Sequence, residues 1–104
     1  MAWVYLLVAG FLEIIWAFAM KQSDGLTRVL PTIITAVAML GSVGLLALAM
    51  RSLPLGTAYL IWTGIGAVGA FVVGVVLLGE ALTPQRVIAA MLIVSGTIAM
   101  RMAE

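Results

Sequence analysis

Apolar residues in this chain fall in four long runs, 2–20, 29–50, 57–78 and 87–100, and the charged residues lie almost entirely between them. The runs are continuous and do not alternate with polar positions. That excludes the strands of a membrane barrel, the other structure able to satisfy its own backbone in lipid. A helix over the first run rises about 28 Å, close to the roughly 30 Å of a bilayer's hydrocarbon. The pattern predicts an all-α integral membrane protein, a single transmembrane domain over 1–104 with helices over about 2–20, 29–50, 57–78 and 84–102. Thr83 followed by Pro84 reads as an N-cap with a first-turn proline, which lengthens the last and shortest run, and Pro31 takes the same place in the second helix. The connections Lys21 to Arg28, Arg51 to Gly56 and Gly79 to Arg86 are short, so each helix should run antiparallel to the next.

Composition narrows the class. With 65% hydrophobic and 9% charged residues in 104, a soluble domain could not cover its apolar surface. The net charge of +1, without a basic cluster, offers nucleic acid nothing to bind. Cys and His are both absent, which removes disulfides and thiol chemistry and leaves no expectation of a metal or other cofactor. Met1-Ala2-Trp3 lacks the basic region of a cleavable leader, so the first run is expected to remain as a membrane helix. Lys21, Arg28 and Arg86 flank one set of helix ends; Arg51, Arg101 and the amino terminus flank the other. This near balance predicts weak orientation preference, with insertion in both directions.

One residue breaks the apolar pattern. Glu13 stands near the middle of the first run, where an ionisable side chain costs about 2.5 to 3.5 kcal/mol on insertion scales and is seldom kept without a function. Leu6, Ala9, Gly10, Trp16, Ala17 and Met20 share its helix face at spacings of three, four and seven. On the third helix Tyr59, Trp62, Thr63 and Gly66 form a similar stripe, and on the second Thr35, Ala38 and Ser42 a weaker one. No helix carries a basic residue in its membrane interior, so the countercharge for Glu13 must come from outside the chain. A proton or a cation can supply it, and the two compete for the same oxygens. Such competition, at one site reached from each side of the membrane in turn, is sufficient for proton-driven antiport. Aromatic faces would add cation–π attraction of about 0.5 to 2 kcal/mol each.

Structural roles stand beside these readings. Tyr59, near a helix start, suits an interfacial aromatic belt as well as a site. The Ser42 hydroxyl can bond back to the carbonyl four residues earlier. Glu80, Asp24 and Glu104 read as solvated loop or tail charges. Gly64-Ile65-Gly66 is a candidate hinge in the third helix. Gly66, Ala70 and Gly74 form a small-residue ridge suited to close helix contact. Ala89, Ile93 and Gly96 mark an association face on the uncharged fourth helix.

Two separated stretches carry a family resemblance: Gly10-Phe11-Leu12-Glu13-Ile14-Ile15-Trp16-Ala17, and Leu53-Pro54-Leu55-Gly56-Thr57-Ala58-Tyr59-Leu60-Ile61-Trp62-Thr63-Gly64-Ile65-Gly66-Ala67-Val68-Gly69. With them, and over essentially its whole length, the chain resembles the small multidrug resistance family, and within it the guanidinium-exporter subtype. The resemblance implies an antiparallel, dual-topology homodimer in a bacterial inner membrane, in contact with lipid, that exchanges protons for guanidinium. Glu13 of both copies would bind substrate and proton in turn, and Trp16, Ser42, Tyr59 and Trp62 match the positions lining that site. Gly64 and Gly66 match the hinge, and Ala89, Ile93 and Gly96 the dimer contact. Ala89 stands where glycine is frequent and Leu60 where a smaller residue is frequent; the second departure bears on entry of larger cations.

The chemistry of the substrate is consistent with the acid: guanidinium presents a planar fork of N–H donors that a carboxylate can accept in pairs. The expectation is therefore a proton-coupled guanidinium exporter and not an enzyme, since no nucleophile or general-base partner stands at a recognisable spacing. The rival readings are a broader exporter of quaternary ammonium and other hydrophobic cations, and a non-transporting helper subunit.

Overall fold

In the computed structural model, which describes residues 1–103, four helices follow one another: α1 (Ala2–Gln22), α2 (Val29–Ala49), α3 (Leu55–Leu78) and α4 (Pro84–Ala103). All four are long and apolar enough to cross a membrane. Their ends depart from the apolar runs by at most three residues, for local reasons. α1 continues through Lys21 and Gln22, polar residues with good helix propensity. α3 begins at Leu55 because Pro54, extended at φ −60° and ψ 152°, leads directly into the first turn, and its carbonyl accepts the Ala58 N–H at 3.0 Å. Thr83 Oγ1 accepts the Arg86 N–H at 3.2 Å, the N-cap expected from Thr83-Pro84. Glu104, read above as a tail charge, lies outside the described residues.

α1 is the central helix, packed along α2 on one side and α3 on the other, while α4 packs along α3 alone. The result is a slab measuring 39 × 34 × 16 Å across its Cα atoms. Close approach between helices depends on glycine, as is usual where lipid supplies no hydrophobic drive for helices to associate. A Cβ on Gly10 would lie 2.6 Å from Ile65 Cγ2, and the Ile14 and Thr97 side chains occupy the space left open at Gly69 and Gly64.

The core is lopsided. Leu6 and Ala9 of α1, Leu46 and Ala49 of α2, and Ala58, Ile61 and Trp62 of α3 form its buried cluster. All of these belong to the half of the bundle where α1 begins. The opposite half is looser and contains a cleft of about 380 Å³ among Ile14, Phe18, Ile34 and Leu77.

No residue of α4 is buried. Its hold on the chain comes largely from side chains near its two ends and at two points along it. The Arg101 guanidinium lies 4.2 Å from the Trp3 ring centre, and that of Arg86 lies 5.1 Å from the Phe71 ring centre. Between them Thr97 seats against Gly64, and Thr57 Oγ1 donates to Met100 Sδ at 3.7 Å. Trp3 with Arg101 marks one end of the bundle. Lys21 and Glu80, which line one cavity, mark the other. Helices consecutive in the chain are thus antiparallel, as the short connections require, and α1 and α3 run parallel.

The role of glycine in the α1–α3 contact can be measured. Gly10→Leu should lower the free energy of unfolding in detergent by about 1–3 kcal/mol through overpacking against Ile65. Gly44→Leu, at a position with nothing within 4 Å of an added Cβ, should stay within about 0.5 kcal/mol. Equal losses at the two positions would contradict the close α1–α3 approach.

Candidate functional site

Glu13 sits midway along α1 with its side chain turned toward α3. It fills the space that glycine leaves at position 66: a Cβ there would collide with Glu13 Oε1 and Cδ. Glu13 Oε1 is fully buried and accepts no hydrogen bond from any described residue. One turn further along α1, Trp16 Nε1 is also buried and also lacks an acceptor. An acceptor and a donor, each shielded from solvent and each unsatisfied among the described residues, therefore lie three residues apart on one helix face. Buried polar groups are nearly always paired, so two exceptions this close together point to a partner from outside the chain.

One turn before Glu13 the polar groups are fully engaged. Ser42 Oγ donates to the Ala9 carbonyl at 2.6 Å, and Trp62 Nε1 donates to Ser42 Oγ at 2.9 Å. The bond back to its own helix that was open to Ser42 in sequence is not the one it makes. Its hydroxyl ties α1, α2 and α3 at one point and fixes the rotation of the Trp62 indole. Tyr59 packs on Trp62 with ring centres 5.5 Å apart and planes tilted by 53°, and it is 53% exposed. The structure thus gathers Ser42, Trp62 and Tyr59 into one chain of contacts, which reaches α1 at Ala9, a turn from Glu13.

The other positions singled out in sequence divide by direction. α3 runs unbroken through Gly64-Ile65-Gly66. Its two glycines serve different neighbours, Gly64 receiving Thr97 of α4 and Gly66 receiving Glu13 of α1. Ala89, Ile93 and Gly96 are exposed on α4. Ile93 and Gly96 also line a cleft of about 430 Å³ between α3 and α4, together with Tyr59, Leu60 and Thr63. Neither this cleft nor the one beside Ile14 and Phe18 reaches the Glu13 carboxylate, and both have apolar walls suited to acyl chains.

Glu80 is an exposed loop charge, as its sequence context indicates, and the structure adds a direction: it folds back so that its carboxylate lies over Gly74 of α3. Gly79, left-handed at φ 68°, reverses the chain there, and the Glu80 N–H closes onto the Gly74 carbonyl at 3.0 Å. A glycine directly after an apolar run is the sequence signal of such a left-handed helix ending.

Comparison with known proteins agrees with this architecture. A family model described as Small Multidrug Resistance protein matches residues 1–93. The chain is 54% identical over 104 residues to a protein named Guanidinium exporter from Yersinia pestis, covering 100% of both chains. It is 51% identical over 102 residues to proteins of the same name from Escherichia coli strain K12 and Citrobacter freundii, covering 98% of this chain and 97% of each of those.

The three-helix junction at Ser42 yields a direct expectation. Ser42→Ala removes the acceptor of a buried indole N–H and should cost about 1–3 kcal/mol of stability. With Trp62→Phe already in place that cost should shrink markedly, as a double-mutant cycle followed by unfolding in detergent would reveal. Additive losses would place the two side chains in independent roles.

Proposed function

The chain belongs to the small multidrug resistance family, and from that membership together with the unpaired acid between α1 and α3 we propose that it is a proton-coupled antiporter exporting guanidinium and small guanidinyl compounds. The observation that carries this reading is the pair formed by Glu13 Oε1 and Trp16 Nε1, buried a turn apart and unsatisfied among the described residues. A carboxylate in that position needs a positive partner, and no helix provides one in its membrane interior. Guanidinium answers both the charge and the geometry. Its N–H fork matches the carboxylate and its flat face can lie against an indole. A proton neutralises the same oxygens, so occupancy by one excludes the other. Relatives covering nearly the whole chain carry the name Guanidinium exporter, and this favours guanidinium over bulkier cations and transport over enzymatic chemistry.

In this reading Glu13 binds substrate and proton, Trp16 and Trp62 provide the aromatic walls, and Tyr59 and Ser42 polarise and position them. The working unit is an antiparallel homodimer of multi-pass chains in the bacterial inner membrane, with one site drawn from both copies. Support comes from the slab shape, only 16 Å in its thinnest direction, and from an α4 none of whose residues is fully buried. Ala89, Ile93 and Gly96 lie on that uncovered surface and would meet the second copy. The near balance of Lys and Arg between the two ends is what insertion in both orientations requires. Flexing at Gly64 and Gly66 would carry the site from one side of the membrane to the other.

In liposomes holding the purified protein, an imposed pH gradient should drive guanidinium uphill, and guanidinium added alone should move protons the opposite way. Glu13→Gln should abolish both fluxes while the protein still inserts and still dimerises. Coupled flux surviving in that variant would reject the mechanism. In competition, guanidinium should be carried in preference to a bulky quaternary ammonium ion, and the reverse order would assign the chain to the broader exporters.

A further inference from the structure

The α1–α3 crevice holds two carboxylates. Glu13 fills the gap at Gly66 and Glu80 the gap at Gly74, so both acids lie over the ridge formed by Gly66, Ala70 and Gly74. Eight residues of helix separate the two glycines, about 12 Å of rise. Between them, at the looser end of the bundle, is a cavity of about 200 Å³ whose lining includes Ala17, Lys21, Ala70, Gly74 and Glu80. Ala17 is one helical turn from Glu13, so the cavity lined by Glu80 comes within a turn of the inner acid, which is not itself part of its lining. Several waters, at about 30 Å³ each, or one guanidinium ion with part of its hydration shell, fit within such a volume.

Glu80 is held in place by backbone. The left-handed Gly79 and the 3.0 Å bond from the Glu80 N–H to the Gly74 carbonyl fix its position, and the missing Cβ at Gly74 makes room for its oxygens. The carboxylate itself is under-used. Among the described residues its only cationic partner is Arg86, 3.6 Å away and beyond hydrogen-bond length. The Arg86 guanidinium gives its direct hydrogen bond to the Ala81 carbonyl and lies over the Phe71 ring. Lys21 lines the same cavity without an ion pair among the described residues. Glu80 thus faces a guanidinium group of the protein's own, set beside an aromatic ring, with its acceptors open toward the crevice.

We propose that Glu80 is an outer docking carboxylate for the transported cation. A guanidinium ion displaces Arg86 from Glu80 at the crevice mouth and then passes along the Gly74–Gly66 ridge to Glu13. This rests on the reading of guanidinium as substrate. Arg86 is then a built-in competitor, able to return to the acid once the cation has moved inward. No covalent step is involved: one ion pair is exchanged for another, and the displaced Arg86 keeps its own hydrogen bond to the Ala81 carbonyl.

The two members of the pair should act in opposite directions. In liposomes, Glu80→Gln should raise the KM for guanidinium about two- to fivefold, the range expected of a partly exposed ion pair, and Arg86→Gln should lower it. High salt should erase both shifts. A pair that merely braced the loop would move KM the same way in both variants, or not at all, and either result overturns the proposal. A binding measurement separates it from the transport reading. Guanidinium chloride titrated into micellar Glu13→Gln protein, against equal sodium chloride, should shift the backbone amide resonances of Gly74 and Gly79. Glu80→Gln in the same background should abolish those shifts. Unshifted amides in the Glu13→Gln protein would overturn the outer site even if the wild type transports. A wild type that moves no guanidinium would sink the transport reading instead, leaving the amide titration to decide whether Glu80 binds the cation.

Discussion

A carboxylate lodged in the space of a missing side chain governs this structure. Glu13 fits between α1 and α3 because position 66 is glycine, and the helices can approach that closely because Gly10 and Gly69 also lack side chains toward the contact. The fit is steric, not electrostatic: the described residues provide room for the acid but no hydrogen-bond donor for its buried oxygen. In water such an arrangement would be unremarkable. Within the low dielectric of a bilayer it leaves the group dependent on whatever can reach it.

The surrounding polar groups divide into satisfied and unsatisfied sets. Ser42, Ala9 and Trp62 close a short hydrogen-bonded chain across three helices, and such a chain specifies one packing because any rotation of a member strands a partner. Glu13 and Trp16, one turn on, are left out of it. Rigid scaffold and open valence thus lie next to each other on α1. The hydrogen bonds that hold the frame are separate from the unpaired groups at Glu13 and Trp16, so the latter can change partners without breaking the former.

Much of this was legible in the amino-acid order. Four continuous apolar runs between clustered charges determine four membrane-length helices, since no other structure satisfies a lipid-exposed backbone from runs of that kind. Glu13, Trp62 and Gly66 stood out because polar, aromatic and small residues at helical spacing are conspicuous in an apolar background. Less legible were contacts between elements distant in sequence. Nothing local distinguishes a Ser42 that bonds its own helix from one that bonds Ala9, because both acceptors are ordinary carbonyls. Arg101 over Trp3 joins the two ends of the chain, a pairing that periodicity within one helix cannot reveal. Glu80 was legible as an exposed loop charge, but the direction of its side chain over Gly74 was not, since it depends on how the chain reverses at Gly79.

The uneven core has a mechanical consequence. Where Leu6, Ala9, Leu46, Ala49, Ala58, Ile61 and Trp62 interlock, helices can tilt against one another only as about a fixed pivot, and displacement must grow with distance from it. Lys21, Glu80 and Arg86 stand at the far tip of that lever and Glu13 partway along its arm. A tilt too slight to disturb the interlocked end would still part the charged groups at the tip, so the softest interactions in the molecule sit where its travel is greatest.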